Sequence, residues 1–373
     1  MVLVMSQPLR CLIPSPILDD DLDSEAYSVA SLPPFSPTPS EAASSATSHD
    51  LSMRSVSPSP SVWSLTSSLQ RHIFRQEYGR GLNNYSDIYR LPADKEELDR
   101  LDKQHVMFKE VMGLYPPPME EVMAQEFPGE TKACLDLGCG SGSWIMDIAH
   151  AFPHCNAVAV DLIPMQSPSM PPNCRSEVDD INLGLEHFYG DFDVVHARLI
   201  ASGIRDYASL IDHISRVLRP GGLIHLLEFD FHMYDANKNR VEVGTHQVGP
   251  PWWSRWLAFA KLAVINSGGS PDAATHLHSW IREHPAFEDV VYQDYWVPTS
   301  PWINGSDAQK RVAACMRDDI IAFLKSGRPL LLGNGLPEEL VDELELNATA
   351  ELMAAQYPHY VRLQDVYARK RRQ

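Results

Sequence analysis

The sequence predicts an α/β protein: a doubly wound, mostly parallel sheet with helical additions beside it and a disordered N-terminal tail. Two observations carry that expectation. From Cys134 onward, apolar runs of strand length alternate with stretches of helix length, as parallel βαβ units require. The first of these strands also runs directly into three glycines at alternate positions, "LDLGCGSGSW", so a strand enters a helix through a tight turn.

Taken in order, residues 1–68 are dominated by Ser and Pro, as in "SLPPFSPTPSEAASSATSH". Apolar residues recur there with no period that would offset the entropy of ordering the backbone, so a disordered tail is expected. Its Ser-Pro and Thr-Pro steps (Ser15, Ser36, Thr38, Ser57, Ser59) are either sites for proline-directed kinases or incidental to the composition. Residues 69–130 read as a helical lead-in and lid. Asp94 can cap a helix, with Glu97 three positions on closing a box-like start. Leu98, Leu101, Phe108 and Met112 then share one helical face. The polar and aromatic segment before it, "EYGRGLNNYSDIYRLP", is placed to lie over a pocket mouth.

The main domain spans 131–373. Strands are expected in "ACLDLG", "AVAVDL", "CRSEVDD", "FDVVHAR" and "LIHLLEFD", with helices in "WIMDIAHAF" and "YASLIDHISRVLRP". A helical insert follows at about 232–285, covering "PPWWSRWLAFAKLAVINSG" and "PDAATHLHSWIREH". A strand in "FEDVVYQDYWVP", two helices over 307–327 and 336–356, and a last strand in "YVRLQDVYAR" complete the chain.

Composition excludes several functions. A formal net charge of -18 opposes nucleic-acid and anionic-membrane binding. Apolar runs are too short for a bilayer span. The cysteines (Cys11, Cys134, Cys139, Cys155, Cys174, Cys315) form no C-x-x-C pair, and His276 and His278 lack a third ligand, so no metal site is expected. Reduced thiols and the missing leader suggest the cytoplasm. The basic end "ARKRRQ" is either a solvated terminus or a nuclear import signal.

The glycine turn is not a P-loop, because Ser143 and Trp144, not Lys and Ser/Thr, follow Gly142. Nor is it a G-x-G-x-x-G dinucleotide turn: Gly138, Gly140 and Gly142 are spaced G-x-G-x-G. Asp136, two residues before Gly138, would repel a pyrophosphate and attract an ammonium. S-adenosylmethionine, phosphate-free and cationic, fits. The glycines, with Cys139 between them, would let its methionyl part approach the backbone. Asp161 ends the next strand, 19 residues beyond Gly142, the usual offset for an acid that binds a ribose diol; Leu162 follows it. After the third strand, Asp180 and Ile181 are candidates for the adenine amino group and ring, with Asp179 the competing acid and helix capping the plain alternative. At the carboxyl end of "FDVVHAR", His196, Ala197 and Arg198 should border the methionyl group.

Together "LDLGCGSGSW", "AVAVD", "VDDI", "FDVVHAR" and "VLRPGGLIHLLEFD" resemble the class I S-adenosylmethionine-dependent methyltransferases. The upstream "YRLPADKEELDRLDKQHVMF" looks like the lead-in of a fungal subgroup, the LaeA-like methyltransferases. The resemblance implies a Rossmann-like, seven-stranded sheet whose last strand runs antiparallel, with "YVRLQDVYAR" the candidate. It also implies a small-molecule or protein methyl acceptor, or a regulatory role in secondary metabolism exercised through protein partners. Methyl transfer from a sulfonium is mainly a matter of alignment and water exclusion. His196 is the best-placed general base if one is needed, with Glu228 and Asp230 as other groups facing the site, and a hydrogen-bonded wall residue is its plain alternative. Trp252, Trp253, Trp256, Tyr295, Trp296 and Trp302 either wall an acceptor site or are ordinary core.

Overall fold

The computed structural model describes residues 72–372 apart from Gln166, Pro168, Ile303 and Asn304. The Ser/Pro-rich segment 1–68, its Ser-Pro and Thr-Pro steps and Cys11 lie outside the described residues. A small antiparallel hairpin, β1 (Phe74–Glu77) and β2 (Arg80–Asn83), comes first. Helix α1 (Lys95–Met112) and the short α2 (Pro118–Met123) lead into the sheet.

The sheet has seven strands: β3 (Lys132–Leu137), β4 (Cys155–Asp161), β5 (Cys174–Val178), β6 (Phe192–Arg198), β7 (Leu218–Phe229), β8 (Phe287–Pro298) and β9 (Tyr360–Lys370). Their spatial order is β5-β4-β3-β6-β7-β9-β8. The five strands from β3 to β7 pair in parallel. The last strand, β9, inserts antiparallel between β7 and β8, as the family resemblance implied for "YVRLQDVYAR". Every residue of β3 is buried, because a central parallel strand is covered on both faces. At the edge, β5 keeps partly exposed residues, which explains its weak apolar pattern.

Helices cover both faces. On one, α4 (Tyr207–Val217) and α6 (Ala273–Glu283) bury Leu210, Ile211, Ile214, Leu277 and Ile281 against Val195, Ile224 and Val366. On the other, α2 and α3 (Ser143–Ala151) bury Met119, Met123, Ile145 and Ile148 against Cys134, Ala157 and Val194. A third core forms from Met107 and Phe108 of α1, α5 (Trp252–Asn266), α7 (Asp307–Ser326), α8 (Arg328–Gly333) and α9 (Glu338–Ala354), packed on Leu227, Val361 and Leu363.

Three local expectations change. The region about 232–285 is not one insert: α5 joins the third core, whereas α6 covers the sheet. That core is shared between α5 and the helices α7, α8 and α9 that lie between β8 and β9. On α1 the buried face carries Glu97, Arg100, Gln104 and His105 beside Met107 and Phe108, while Leu98 and Leu101 are only partly buried. Asp94 does cap α1, accepting from the Glu97 amide, but the Glu97 carboxylate turns inward to Arg100 and Ser326 instead of back to the cap.

Candidate active site

The three glycines of the turn adopt left-handed backbone, with φ of 68°, 56° and 79° at Gly138, Gly140 and Gly142. Side chains also crowd them. A Cβ on Gly138 would stand 2.5 Å from Ile200 Cγ2, one on Gly140 2.9 Å from Leu101 Cδ1, and one on Gly142 2.2 Å from Met165 Cε. Glycine is therefore dictated by backbone angle and by neighbouring protein. The turn is braced from β4: Val160 O accepts from the Gly138 and Cys139 amides, and Asp161 Oδ2 accepts from the Gly140 amide at 2.8 Å.

A cavity opens where this turn meets the carboxyl ends of β3, β4, β6 and β7. Its lining includes Asp136, Gly138, Cys139, Gly140, Asp161, Leu162, Asp180, Ile181, His196 and Arg198. Gly142 and Ala197 are not among the lining residues. Strand alternation puts Ala197 on the opposite face, with Val195 in the α4 core. Gly142 is the N-cap of α3 and packs toward Met165.

Carboxylates dominate the polar lining: Asp136, Asp161, Asp179, Asp180, Glu228 and Asp319 stand against Arg100 and Arg198. Burial raises Asp136 to about 8, with nearby Asp161 adding to the rise and Arg198 opposing it. Burial likewise lifts Asp161 to about 6 against the pull of backbone amides, and Glu228 to about 8. Such shifts mean that anionic forms are under-compensated, so a bound cation lowers the free energy of the site.

His196, in the cavity wall, is already engaged by its neighbours. Its Nδ1 is 2.7 Å from Asp136 Oδ1, its ring stacks on Trp144 at 3.6 Å, and burial, then His225 and Arg198, depress its pKa well below the usual imidazole value. It fits the wall-residue alternative better than the base. Asp180 Oδ1 accepts from the Asn182 amide and side chain, capping a 3-10 turn. Asp179 sits 3.3 Å from His187. Of the aromatic candidates only Trp253 lines the cavity. Trp256 is core, packed on Phe323, while Trp296 and Trp302 pack half-buried on Tyr360, away from the cavity lining. Asp230, suggested to face the site, is fully buried with Tyr234 and Arg240 and is not among the lining residues.

Sequence reasoning did place the segment carrying Tyr89 and Leu91 at a pocket mouth, but it missed Arg100, Gln104, Leu199, Ile200, Met316, Asp319, Ile320 and Phe323 in the wall. It also missed what Glu228 does with one oxygen. Oε1 accepts from the Ile200 and Ala201 amides and from the Tyr207 hydroxyl. These tie the end of β7 to the loop after β6. A carboxylate at a parallel strand end was visible in "LLEFD"; its three donors were not.

Residues 135–224 match the model of a methyltransferase domain. The secondary metabolism regulator laeA of Coprinopsis cinerea is 49% identical over 299 residues, spanning 79% of this chain and 74% of that protein. The chain belongs to the laeA family of methyltransferases. Methyltransferase pytC of Aspergillus terreus is 30% identical over 68% of the chain and 74% of the relative. Protein-methionine methyltransferase laeA of Emericella nidulans is 28% identical over 70% of the chain and 66% of the relative. As a laeA-family methyltransferase the protein uses S-adenosylmethionine as cofactor, and the residues present fit it. The acid-rich lining suits a phosphate-free cation, and Asp161 lies in that lining at the tip of β4.

Proposed function

We propose that this laeA-family protein methylates an uncharged nucleophile held in an apolar chamber, and that a methionine thioether in a protein is the acceptor class that suits it best. The observation carrying this reading is the outer cavity wall, made of Phe108, Phe229, Phe231, Trp253, Met316, Ile320 and Phe323. Such a wall desolvates an acceptor and excludes water, which favours attack on a sulfonium methyl group. The cofactor supplies an activated methyl group; this chain's residues hold and orient the two partners. A thioether sulfur loses no proton when methylated, so the engagement of His196 with Asp136 is no obstacle. One relative bears the name protein-methionine methyltransferase, which supports the same choice. A protein acceptor also links the enzyme to the regulators of secondary metabolism among its relatives, with protein partners as substrates.

A second reading rests on Glu228. Its raised pKa and its place in the cavity wall suit a general base for an O–H or N–H acceptor. Release of S-adenosylhomocysteine with methionine-, lysine- and serine-containing peptides separates the two. Thioether transfer predicts turnover with methionine peptides alone and a Glu228→Gln variant within a few-fold of wild type. Turnover only with proton-bearing acceptors, lost in Glu228→Gln, would reverse the choice.

For compartment we propose the cytoplasm. Arg369 and Lys370 of the basic terminal run belong to β9. Arg369 pairs with Glu121, Lys370 donates to the Leu218 carbonyl, and Arg371 pairs with Glu288. Cations engaged in this way support a structural role for the run over nuclear import.

A further inference from the structure

A glutamine in a buried wall needs partners at both ends of its amide, because a polar atom left unpaired in the interior is costly. Gln104, on α1, is only 7% exposed and has a partner at one end. Its Nε2 donates to Asp319 Oδ2 at 3.0 Å. The other Asp319 oxygen accepts from Arg100 Nη1 at 2.7 Å, and Arg100 is held in turn by Glu97. A carboxylate paired with a guanidinium accepts and does not donate, so the Gln104 nitrogen faces Asp319 and its carbonyl oxygen faces away. That oxygen, Oε1, meets no donor among the described residues, and it is not one of the polar atoms sealed in the interior without a partner.

Its direction follows from the helix. Arg100, Leu101, Gln104 and Phe108 fall at helical spacing on one face of α1, and all four line the cavity. The open oxygen belongs to the outer, acceptor side of that cavity. Gln104 is bonded to α7, which also supplies Met316, Ile320 and Phe323 to the apolar wall. The acids assigned to the cofactor, Asp136 and Asp161, lie instead on the strands β3 and β4.

We infer that Gln104 determines specificity for the methyl acceptor: its Oε1 accepts a hydrogen bond from an N–H of the acceptor, and for a methionine within a protein that N–H is the methionine's own main-chain amide. Asp319 and Arg100 are the positioning residues that keep the oxygen turned inward. The inference rests on the protein-methionine reading of the acceptor. A thioether arm carries no donor, so an apolar chamber alone would take any side chain of similar shape; one main-chain N–H beside the arm adds a polar contact that fixes its orientation. The apolar wall suits a neutral N–H better than an ammonium, whose charge it would leave desolvated.

Two acceptors test this: a short methionine peptide, and the same chain with an ester oxygen in place of the methionine N–H. Release of S-adenosylhomocysteine by wild-type protein should show kcat/KM roughly 10- to 100-fold lower for the ester. The ester also alters its own carbonyl, so the deciding quantity is how far the preference depends on Gln104. Gln104→Met should bring the amide peptide down to near the ester's kcat/KM and leave the ester's value little changed. Binding of S-adenosylhomocysteine to that variant, read by calorimetry, should stay as in wild type and checks that the cavity folds. Gln104→Asn, which keeps a shortened carboxamide, should retain part of the preference, and Asp319→Asn, which lets the Gln104 amide turn over, should reduce it. An equal preference for the amide in wild type and Gln104→Met would overturn the inference. So would weaker S-adenosylhomocysteine binding by Gln104→Met at an unchanged thermal midpoint, which would assign the oxygen to the cofactor. If wild type binds S-adenosylhomocysteine and turns over lysine or serine peptides but neither methionine chain, the protein-methionine reading itself fails and the inference falls with it.

Discussion

At the residue scale, burial leaves the cavity acids Asp136 and Asp161 holding protons that a bound cation would displace. Asp161 rises to about 6 and Asp136 to about 8 in the cofactor-free protein. A cation favours their ionised forms, so S-adenosylmethionine affinity should climb between about pH 6 and 8, with proton release on binding. Calorimetry in buffers of different ionisation enthalpy reads both; a flat profile would show that neither acid meets the ligand. Asp161→Ala should weaken cofactor binding by at least about tenfold, since it leaves the Gly140 amide of the glycine turn unpaired and removes a carboxylate from the cavity lining. Gly138→Ala should impair folding or binding through its φ of 68° and the Ile200 contact. Much here was legible in sequence. The glycine spacing and the two acids are set by local backbone needs and by strand ends. What Ala197 and Gly142 face was not, because a one-residue step along a strand reverses its face and a turn residue's neighbours come from elsewhere.

At the scale of elements, helix α1 is fastened to α7 by charge. Arg100 donates to Glu97 at 2.6 Å and to Asp319 at 2.7 Å, and Gln104 donates to the second Asp319 oxygen at 3.0 Å. Ser326, at the end of α7, donates to Glu97. Removing the cation strands two buried carboxylates, so Arg100→Met should lower unfolding free energy by about 3–5 kcal/mol, measured by denaturant titration. A loss below about 1 kcal/mol, the range of exposed pairs, would mean α1 is not held this way. The sequence pattern of α1 misplaced its buried face for this reason. Arg100 and Asp319 are 219 residues apart, and polar residues read as solvent-facing unless their partner is known.

For the whole molecule, raised acids link cofactor and stability. Asp136 and Glu228 both titrate near 8 in the folded chain, well above the usual carboxylate range. The folded state then holds protons that the unfolded state has released, so stability falls as pH rises toward 8. His196, depressed by burial, works in the opposite sense below about 6.5. The thermal midpoint of cofactor-free protein should therefore drop between about pH 6.5 and 8, and saturating S-adenosylmethionine should flatten that drop. A midpoint that rises over the same interval would place these carboxylates in ionised, compensated surroundings.

Sequence alone determined the βαβ rhythm, the glycine turn, the acid at the tip of β4 and the phosphate-free character of the ligand. These depend on spacing within a few residues or on one βα unit, where backbone geometry dictates residue type. Tertiary structure decided the rest: that α7, between β8 and β9, lines the cavity, that Glu228 ties β7 to the loop after β6, and that Arg198 meets a histidine of α1. Those features come from pairing residues distant in the chain, and the energy that selects such pairs exists only once the sheet and its third core have brought them together.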